Sequence, residues 1–483
     1  MRYHAACSST DPRTPAAPWF SPAGRGFRLS AAIRPVWIED GDRDLRPRGR
    51  SGRAEDLHEA ADAVGRFLAE RAISSPARAE PGLERGASWD VARRVSALLP
   101  RRSSPSSRAS AAPPDETRAN GSGGLRTVNE LRALLVTPLS GPLARFGRAG
   151  AAALRLWAAE AAHLPPPWRR VRLDLHDAHP DPAAAMQRGL ASRPHLVFGP
   201  YGSRPALRAL AASNRTIWNH GGASSTIRWP AFARAVNVLA PASSYFLGTL
   251  EAVRSVDPEA RRIAIMHGRS GFGADVARGA AEDAARLRFE VTAIGFAAGE
   301  AVRSAAHVPE AEILLVAGGF EDELAAARAL LGREWRAAGF VGAGVDEVLA
   351  RLGPARDGLL GPSQWIATAA PEPDEGPDAH WFLTRYRSAV GADPPYPAAQ
   401  AFAAGVLAAR CLRDTDAWDD SAQFAAARNL RCRTFYGDFR LDPSTGLQLG
   451  HEVLTVQWQG GERRIVWPPS HADRSLVYPR SGA

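Results

Sequence analysis

The segments that decide the fold are RRIAIMHG (261–268), FEVTAIG (289–295), EILLVAGG (312–319) and GFVGAG (339–344). Each is a short, mostly apolar run, and helix-like sequence fills most of the gaps between them. Strands that are apolar on both faces are typical of parallel sheets covered by helices. The four segments therefore predict an α/β unit with a parallel sheet.

A second set of strands precedes the first, with a break near residue 241 between them. Its members are LRALLVT (131–137), VRLDLHD (171–177), HLVFG (195–199) and RTIWN (215–219). Two sets of strand–helix units predict two Rossmann-like lobes. Since ligands of open parallel sheets bind beyond the carboxyl ends of the strands, the loops after these strands are the candidate site.

Composition narrows the class of function. The 483 residues are 45% hydrophobic and 23% charged, with a net charge of +9. All 60 basic residues are Arg and are interleaved with Asp and Glu, so we expect no nucleic-acid partner. The sequence has no run of 18 apolar residues, so we expect no membrane span.

Residues 1–128 differ in composition from the rest. Pro-, Ser- and Arg-rich tracts such as RPRGRSGR (46–53) predict a largely disordered extension, with helical pieces at 55–72 and 88–99 and a linker ending at Gly124. The first twenty residues lack the apolar core of a signal peptide, so the compartment is left open.

Three loops of the first set hold candidate ligand-binding side chains. PLSGPLARFG (138–147) presents Ser140 after a Gly-Pro turn, and helix capping explains this serine equally well. GPYGSRPA (199–206) places Tyr201 and Ser203 at a helix start, where a hydroxyl and free amides hold a carboxylate; a plain N-cap is the alternative. WNHGGASST (218–226) crowds small and polar residues at a strand end: His220, Gly222, Ala223 and Ser224.

Aromatic side chains mark the corresponding loops of the second set. Phe272, Phe320 and Trp365 each follow or end a strand-like run, and they either line a cleft or pack within a lobe. DLHDAHPD (174–181) resembles a metal site, but strand alternation points its neighbours to opposite faces, so we expect no metal and no other cofactor. Cys411 and Cys432 are either a disulfide pair or two buried thiols.

Catalytic motifs are absent from the sequence. It has no G-x-S-x-G, no phosphate loop, no H-E-x-x-H and no C-x-x-C, so we expect a binding protein and not an enzyme. The alternative from another class is a hydrolase that uses Ser203 and His220.

The order of these motifs resembles one family. PLSGPLARFG, GPYGS, the Gly-Ala-Ser loop, NVLAPASS (237–244), SGFG, AGGFEDE and YPAAQAFAAG (396–405) occur as in type I periplasmic binding proteins of the leucine/isoleucine/valine-binding family. The resemblance covers about 335 residues, from Arg132 to Trp467. It implies two lobes that are joined by three crossovers and close on a ligand by hinge motion. The implied divisions are an extension at 1–128, lobe 1 at 129–241 plus 365–433, lobe 2 at 242–364 plus 434–467, and a tail at 468–483.

The resemblance also implies roles for individual residues. Ser203 and the segment 222–224 would bind the ligand carboxylate, and Phe272 and Phe320 stand where the family has tyrosines. The family has an acidic residue that pairs with a ligand ammonium. The matching position in this sequence is Gly344, and Asp346, two residues later, is the candidate substitute. An amino acid, an amide, a small acid and a modified amino acid are therefore all open as the ligand.

The function expected from the sequence is a solute-binding protein that clamps a small polar molecule for an ABC importer, with the permease as its partner. A cytoplasmic sensor of the same fold is the alternative. The family implies an extracytoplasmic location, whereas the start of this sequence implies a cytoplasmic one.

Overall fold

A computed structural model of the protein describes residues 129–160, 164–269, 271–415 and 419–480. The predicted disordered extension at 1–128 and its helical pieces lie outside these residues. Within the described ranges, no helix has the length and apolar character needed to cross a membrane.

Lobe 1 contains a five-stranded sheet in which every pairing is parallel, in the order β2-β1-β3-β4-β5. Side chains along each strand alternate between two cores: Leu131, Ala133 and Leu135 enter one, and Leu134 and Val136 enter the other. The strands are β1 (Glu130–Thr137), β2 (Arg170–Asp177), β3 (Leu196–Phe198), β4 (Ile217–Asn219) and β5 (Ala235–Asn237).

Lobe 2 contains a seven-stranded sheet in the order β14-β13-β10-β9-β8-β6-β7. Five neighbouring strands pair in parallel, in the order β7-β6-β8-β9-β10. The antiparallel hairpin of β13 and β14 lies next to β10. The strands are β6 (Arg262–Gly268), β7 (Glu290–Phe296), β8 (Ile313–Ala317), β9 (Ala337–Phe340), β10 (Leu359–Ser363), β13 (Leu454–Gln459) and β14 (Glu462–Trp467).

The two parallel sheets share one topology. In each, the second strand along the chain lies outside the first, and the third lies on the other side of the first. The strand order therefore reverses between β1 and β3 in lobe 1 and between β6 and β8 in lobe 2. Such reversal points leave a crevice beyond the carboxyl ends of the strands, where ligands bind in open α/β sheets.

Helices cover both faces of each sheet and supply the rest of the core. The longest, α9, is buried over nearly its whole length. In lobe 1 the helices are α1 (Ala144–Ala159), α2 (Pro182–Leu190), α3 (Ser203–Ala211), α8 (Ala379–Val390), α9 (Tyr396–Arg413) and α10 (Asp420–Asn429), and in lobe 2 they are α4 (Leu247–Val256), α5 (Gly271–Arg286), α6 (Ala301–Ala305) and α7 (Phe320–Leu330).

Helices α1 and α9 approach closely because Gly405 has no side chain. A Cβ at this position would lie 2.6 Å from the indole Cγ of Trp157. Trp157 is fully buried and meets Phe198 edge to face, with ring centroids 5.7 Å apart. This contact joins both helices to the sheet of lobe 1.

The chain passes between the lobes three times, and the predicted fold class with three crossovers is confirmed. The first crossover is 238–246, between β5 and α4. The second is 364–378, between β10 and α8. The third is 440–453, after the hairpin β11 (Cys432–Thr434) and β12 (Gly437–Phe439).

The predicted boundary at residue 434 is displaced by this hairpin. Phe435 and Phe439 belong to the core of lobe 1, although the sequence assigns them to lobe 2. Phe435 stacks on Phe382 with ring centroids 4.7 Å apart and contacts Phe402 and Trp365. Aromatic packing of this kind is a tertiary effect that local sequence does not reveal.

The tail after β14 lies along lobe 2. The Val477 amide donates to Gln457 Oε1 at 2.8 Å, and the Arg480 amide donates to the carbonyl of Arg336 at 2.8 Å. Leu476 and Tyr478 pack against the core on this side. Residues 468–480 are therefore a packed part of the second lobe.

We predict that Phe435→Ala destabilises the protein by about 3–5 kcal/mol, because it empties a fully buried aromatic site. Chemical denaturation gives the free energy of unfolding. The control is Val302→Ala, at a side chain that is 62% exposed, which should change it by less than about 0.5 kcal/mol. A loss under about 1 kcal/mol for Phe435→Ala would contradict the placement of the hairpin in this core.

Candidate functional site

A cavity of about 880 Å³ opens between the lobes at the carboxyl ends of both sheets. This volume falls within the range of small-molecule sites, about 300–1,000 Å³. Loops after β1, β3 and β4 line it from lobe 1, and loops after β6, β8 and β9 line it from lobe 2. It therefore occupies the position that the strand order of the two sheets predicts.

Five of the predicted site residues line this cavity together. Tyr201 and Ser203 come from the loop after β3, and Ala223 from the loop after β4. Phe272 and Phe320 face them from the second lobe. Side chains that are far apart in sequence thus meet around one space.

Ser203 begins α3 and does not cap it. Gly202 is the N-cap, with a φ of 95° that favours glycine, and no side chain makes a capping hydrogen bond there. The alternative of a plain N-cap serine is therefore wrong. Ser203 is only 7% exposed, and its Oγ has no hydrogen-bond partner among the described residues. Ser203 therefore places a buried hydroxyl, unpaired within the described ranges, at the cavity wall, beside the amides of a helix N-terminus.

Ser140 lies outside the cavity lining. Its hydroxyl donates to Asp177 Oδ2 at 2.5 Å. The amides of Leu139 and His179 also donate to this carboxylate. Burial raises the pKa of Asp177, but the bonds from Ser140, His179 and Leu139 outweigh it and lower the pKa. Ser140 therefore fastens the loop after β1 to the end of β2.

The acidic residues near Asp177 have structural partners as well. Asp174 pairs with Arg172, and Asp181 caps α2 through the amides of Ala183 and Ala184. In the part of the chain that the structure describes, no three metal-ligating side chains form a cluster.

The loop after β4 turns most of its polar groups inward. His220 is 1% exposed, its ring lies against α1 near Gly150, and burial lowers its pKa to about 4. Gly222 exchanges hydrogen bonds with the side chain of Asn219, and Ser224 Oγ lies 2.8 Å from Thr226 Oγ1. These three predicted residues support the loop from behind the cavity wall.

The hydrolase alternative needs a hydrogen bond between Ser203 and His220. Within the described ranges Ser203 Oγ bonds to neither nitrogen of that ring. A serine nucleophile needs a base within hydrogen-bond reach, so this pair lacks the required arrangement.

Asp346 and Trp365 also lie away from the cavity lining. Asp346 is exposed and pairs with Arg463, which also donates to the carbonyl of Gly344 at 2.6 Å. A Cβ on Gly344 would lie 1.7 Å from the carbonyl oxygen of Pro362, so the backbone at this position packs on β10. Trp365 packs in the core of lobe 1 and donates to the carbonyl of Phe435 at 3.0 Å.

Several lining residues were missed by the sequence analysis. Tyr245, Tyr396, Gln400 and Arg145 all lie inside or directly after motifs that carried the family resemblance. Their place in these motifs was the only sequence signal that could have identified them. A motif does not show which face of a helix or turn meets the cleft. Gln400 is fully buried, and its Nε2 has no partner among the described residues.

Aromatic contacts connect the two lobes beside the cavity. Phe146 stacks on Tyr201 at 4.8 Å and meets Phe320 of lobe 2 at 5.4 Å between ring centroids. The guanidinium of Arg145 lies 4.5 Å from the ring centroid of Phe146 and 5.6 Å from that of Phe320. The Tyr201 hydroxyl bonds to that of Tyr396, and burial raises the pKa of both phenols, so both stay neutral.

Charge is distributed unevenly around the cavity. Arg145 and Arg204 line it from lobe 1, and neither forms an ion pair with a carboxylate among the described residues. Lobe 2 contributes the acidic side chains, of which Glu321 pairs with Arg351. The lobe 1 wall therefore carries unneutralised positive charge.

Glu323 braces the lobe 2 wall from behind. It is fully buried, and its carboxyl oxygens accept from the amides of Gly318 at 3.0 Å and Gly342 at 2.6 Å. These amides belong to the loops after β8 and β9, both of which line the cavity. Burial raises the pKa of Glu323 to about 8, against the opposing effect of the two amides.

Comparisons with known proteins identify the family to which this architecture belongs. Residues 130–462 match the family model described as periplasmic binding protein. The leucine-binding protein LivK from Thermotoga maritima is 17% identical with a TM-score of 0.59, over 69% of this chain and 97% of that one. An ABC transporter solute-binding protein from R. palustris in complex with benzoate is 16% identical with a TM-score of 0.57, over 73% and 98%.

A third similar structure is an ABC transporter solute-binding protein from Rhodopseudomonas palustris BisB5 in complex with 3,4-dihydroxybenzoic acid. It is 15% identical with a TM-score of 0.58, over 73% of this chain and 99% of that one. Fold and cleft define a two-lobed α/β binding protein. The chain belongs to the periplasmic binding protein family, so the predicted resemblance to type I members of that family is confirmed, and it shares its fold with the leucine-binding protein LivK.

We predict that Glu323→Gln changes how stability depends on pH. The folded state holds the Glu323 proton up to about pH 8, whereas the unfolded chain releases it near 4.5. The contribution of Glu323 to the free energy of unfolding is therefore fully present below about pH 4.5, and it is lost as the pH rises from there to about 8. Subtracting the variant's free energies of unfolding from the wild-type values should give a difference that falls between pH 5 and 8. The exposed Glu259→Gln is the control; parallel profiles for Glu323→Gln and wild type would refute the prediction.

Proposed function

We propose that the cleft binds a small carboxylate with an apolar body, and that the chain is the substrate-binding component of an ABC importer. The observation that carries the proposal is the buried Ser203 hydroxyl, which lacks a partner at the start of α3. Leaving a buried polar group unpaired costs about 1–3 kcal/mol, so its persistence at a cavity wall favours a ligand that accepts its proton.

The charges around Ser203 favour an anion. Arg145 and Arg204 line the same wall without carboxylate partners among the described residues. The N-terminal end of α3 adds the positive end of a helix dipole. A carboxylate at this wall would meet a hydroxyl donor, backbone amides and two guanidinium groups.

The opposite wall favours an apolar body. Phe272, Phe320, Val341, Val345 and Val348 line it. Glu347 is exposed at this wall, and with Glu321 and Asp322 it is one of the acidic side chains that an ammonium group would meet if the ligand were an amino acid. Gly344 and Asp346, the positions that the resemblance suggested for this role, lie away from the cavity lining. Benzoate and 3,4-dihydroxybenzoate in the two similar structures fit a carboxylate with an apolar body.

Two similar structures are described as solute-binding proteins of ABC transporters, which supports a permease as the partner. A sensor would use the same cleft. Cell fractionation separates the two, because recovery in the cytosolic fraction would favour the sensor.

We predict that small carboxylates with apolar bodies raise the melting temperature of the protein. A thermal-shift panel should compare benzoate, 3,4-dihydroxybenzoate, phenylacetate and leucine with benzamide and benzyl alcohol as uncharged controls. Ligand at about 100 times its Kd stabilises the folded state by about 2.7 kcal/mol, which is a measurable shift. No shift with any carboxylate, or equal shifts with benzamide, would overturn the proposed ligand class.

We predict that Ser203→Ala weakens binding of the best carboxylate by about 1–3 kcal/mol, or roughly 5- to 150-fold in Kd, measured by isothermal calorimetry. Ser192→Ala is the matched control, because that hydroxyl bonds to the carbonyl of Gly189 at the end of α2 and Ser192 does not line the cavity. The control should keep the wild-type Kd. Equal effects of the two substitutions would show that Ser203 does not contact the ligand.

A further inference from the structure

The side chain of Gln364 lies where the crossovers meet. Gln364 opens the second crossover directly after β10 and is 4% exposed. Its Oε1 accepts from the Ala240 amide at 3.3 Å, and its Nε2 donates to the Ala240 carbonyl at 3.0 Å. Ala240 belongs to the first crossover, so one side-chain amide joins two of the three connections.

The third crossover bonds to the backbone of the same residue. His451 Nε2 lies 2.7 Å from the carbonyl oxygen of Gln364 and donates to it, since a carbonyl can only accept. The His451 ring stacks on Tyr436 at 4.1 Å between centroids, and the Tyr436 hydroxyl donates to Gln364 Oε1 at 3.1 Å. Gln364 belongs to the second crossover and bonds to Ala240 of the first and to His451 of the third.

Gln364 also reaches the ligand cavity. Its Nε2 lies 3.1 Å from the hydroxyl of Tyr245, which lines the cavity. The amide orientation is fixed, because the Ala240 N–H can only donate and the Ala240 carbonyl can only accept. The Tyr245 oxygen must then accept from Gln364. Its own proton is left to donate, and it has no acceptor among the described residues.

We propose that Gln364 is the positioning residue of the hinge: it ties the three crossovers together and holds the Tyr245 hydroxyl as a donor toward the ligand. Tyr436 extends the network, since its hydroxyl also lies 3.4 Å from the side chain of Gln400 in the cavity wall. The hinge role stands without a ligand, whereas the role of Tyr245 rests on the proposed function of the cleft.

Gln457 provides a matched control for a substitution. It is 1% exposed and also makes four side-chain hydrogen bonds, two donated to Gly358 and Val477 and two accepted from Val477 and Gln459. Both glutamines therefore lose the same number of bonds on replacement by Met, which has a similar length. Gln457 joins β13 to the tail within lobe 2, and none of the partners of these four bonds belongs to a crossover.

The hinge test compares Gln364→Met with Gln457→Met in the full chain without ligand. Fluorophores on unnatural amino acids at the exposed Val302 of lobe 2 and Val390 of lobe 1 report the interlobe distance by single-molecule energy transfer. We expect a broader distance distribution for Gln364→Met and the wild-type width for Gln457→Met. Hydrogen exchange at the Ala240 amide should rise about tenfold or more in Gln364→Met alone. Equal widths in the two variants would overturn the proposal.

A second pair of variants tests the hinge role if Gln364→Met does not fold. Gln364→Asn keeps an amide group but shortens the side chain by one methylene, so it cannot reach Ala240 and Tyr245 as Gln364 does, and Gln457→Asn is its control. Broadening in the first and not in the second is again expected, and equal widths again refute the hinge role.

The role of Tyr245 is tested by measuring the Kd of benzoate. We expect its Kd to weaken about three- to tenfold in Gln364→Met, because the Tyr245 hydroxyl is no longer held as a donor and a looser hinge populates the binding-competent arrangement less often. An unchanged Kd alongside a broadened distribution would remove the link to Tyr245. Failure of benzoate to bind the wild type counts against the proposed ligand class, while the ligand-free comparison still decides the hinge role.

Discussion

The structure depends on one topological constraint: two parallel sheets must present the carboxyl ends of their strands to a common gap while the chain crosses between them three times. Parallel strands all end at the same edge, so every loop that follows a strand reaches that edge. Ser203 and Phe320 face each other for this reason, although they are 117 residues apart in sequence. The crossovers set the distance between the edges, and their backbone polar groups must find partners outside regular sheets.

Three buried or half-buried polar side chains near the gap are satisfied by the protein itself. Asp177, Glu323 and Gln364 bond to loop backbone and fix the shape of the cavity walls and the connections behind them. Most of their partners are main-chain groups, which cannot turn away as a side chain can. The walls therefore present a fixed set of side chains, and such preorganisation lowers the entropy cost of binding a small ligand.

Much of this arrangement follows from sequence, because parallel strands have a local signature. The apolar runs predicted the sheets, and the loops after them led to Ser203, Phe272 and Phe320. Tertiary packing decided the rest. Gly344 turns to β10 because its Cα lies against the Pro362 carbonyl, and the 432–439 hairpin joins lobe 1 because Phe435 stacks on Phe382. Gln400 lies on a helix that is buried almost all round, so periodicity could not tell which buried side chain meets a cavity.

Buried polar atoms without partners among the described residues occur at the cavity wall and also away from it, as at both ring nitrogens of His220. Ser203 Oγ and Gln400 Nε2 belong to residues that line the cavity, whereas the amide nitrogen and oxygen of Gln364 behind it are fully bonded. Each unpaired buried atom costs about 1–3 kcal/mol of stability. Their cost is offset when a ligand supplies the missing acceptors, so the same atoms that weaken the empty protein favour a ligand with oxygen acceptors at those two points.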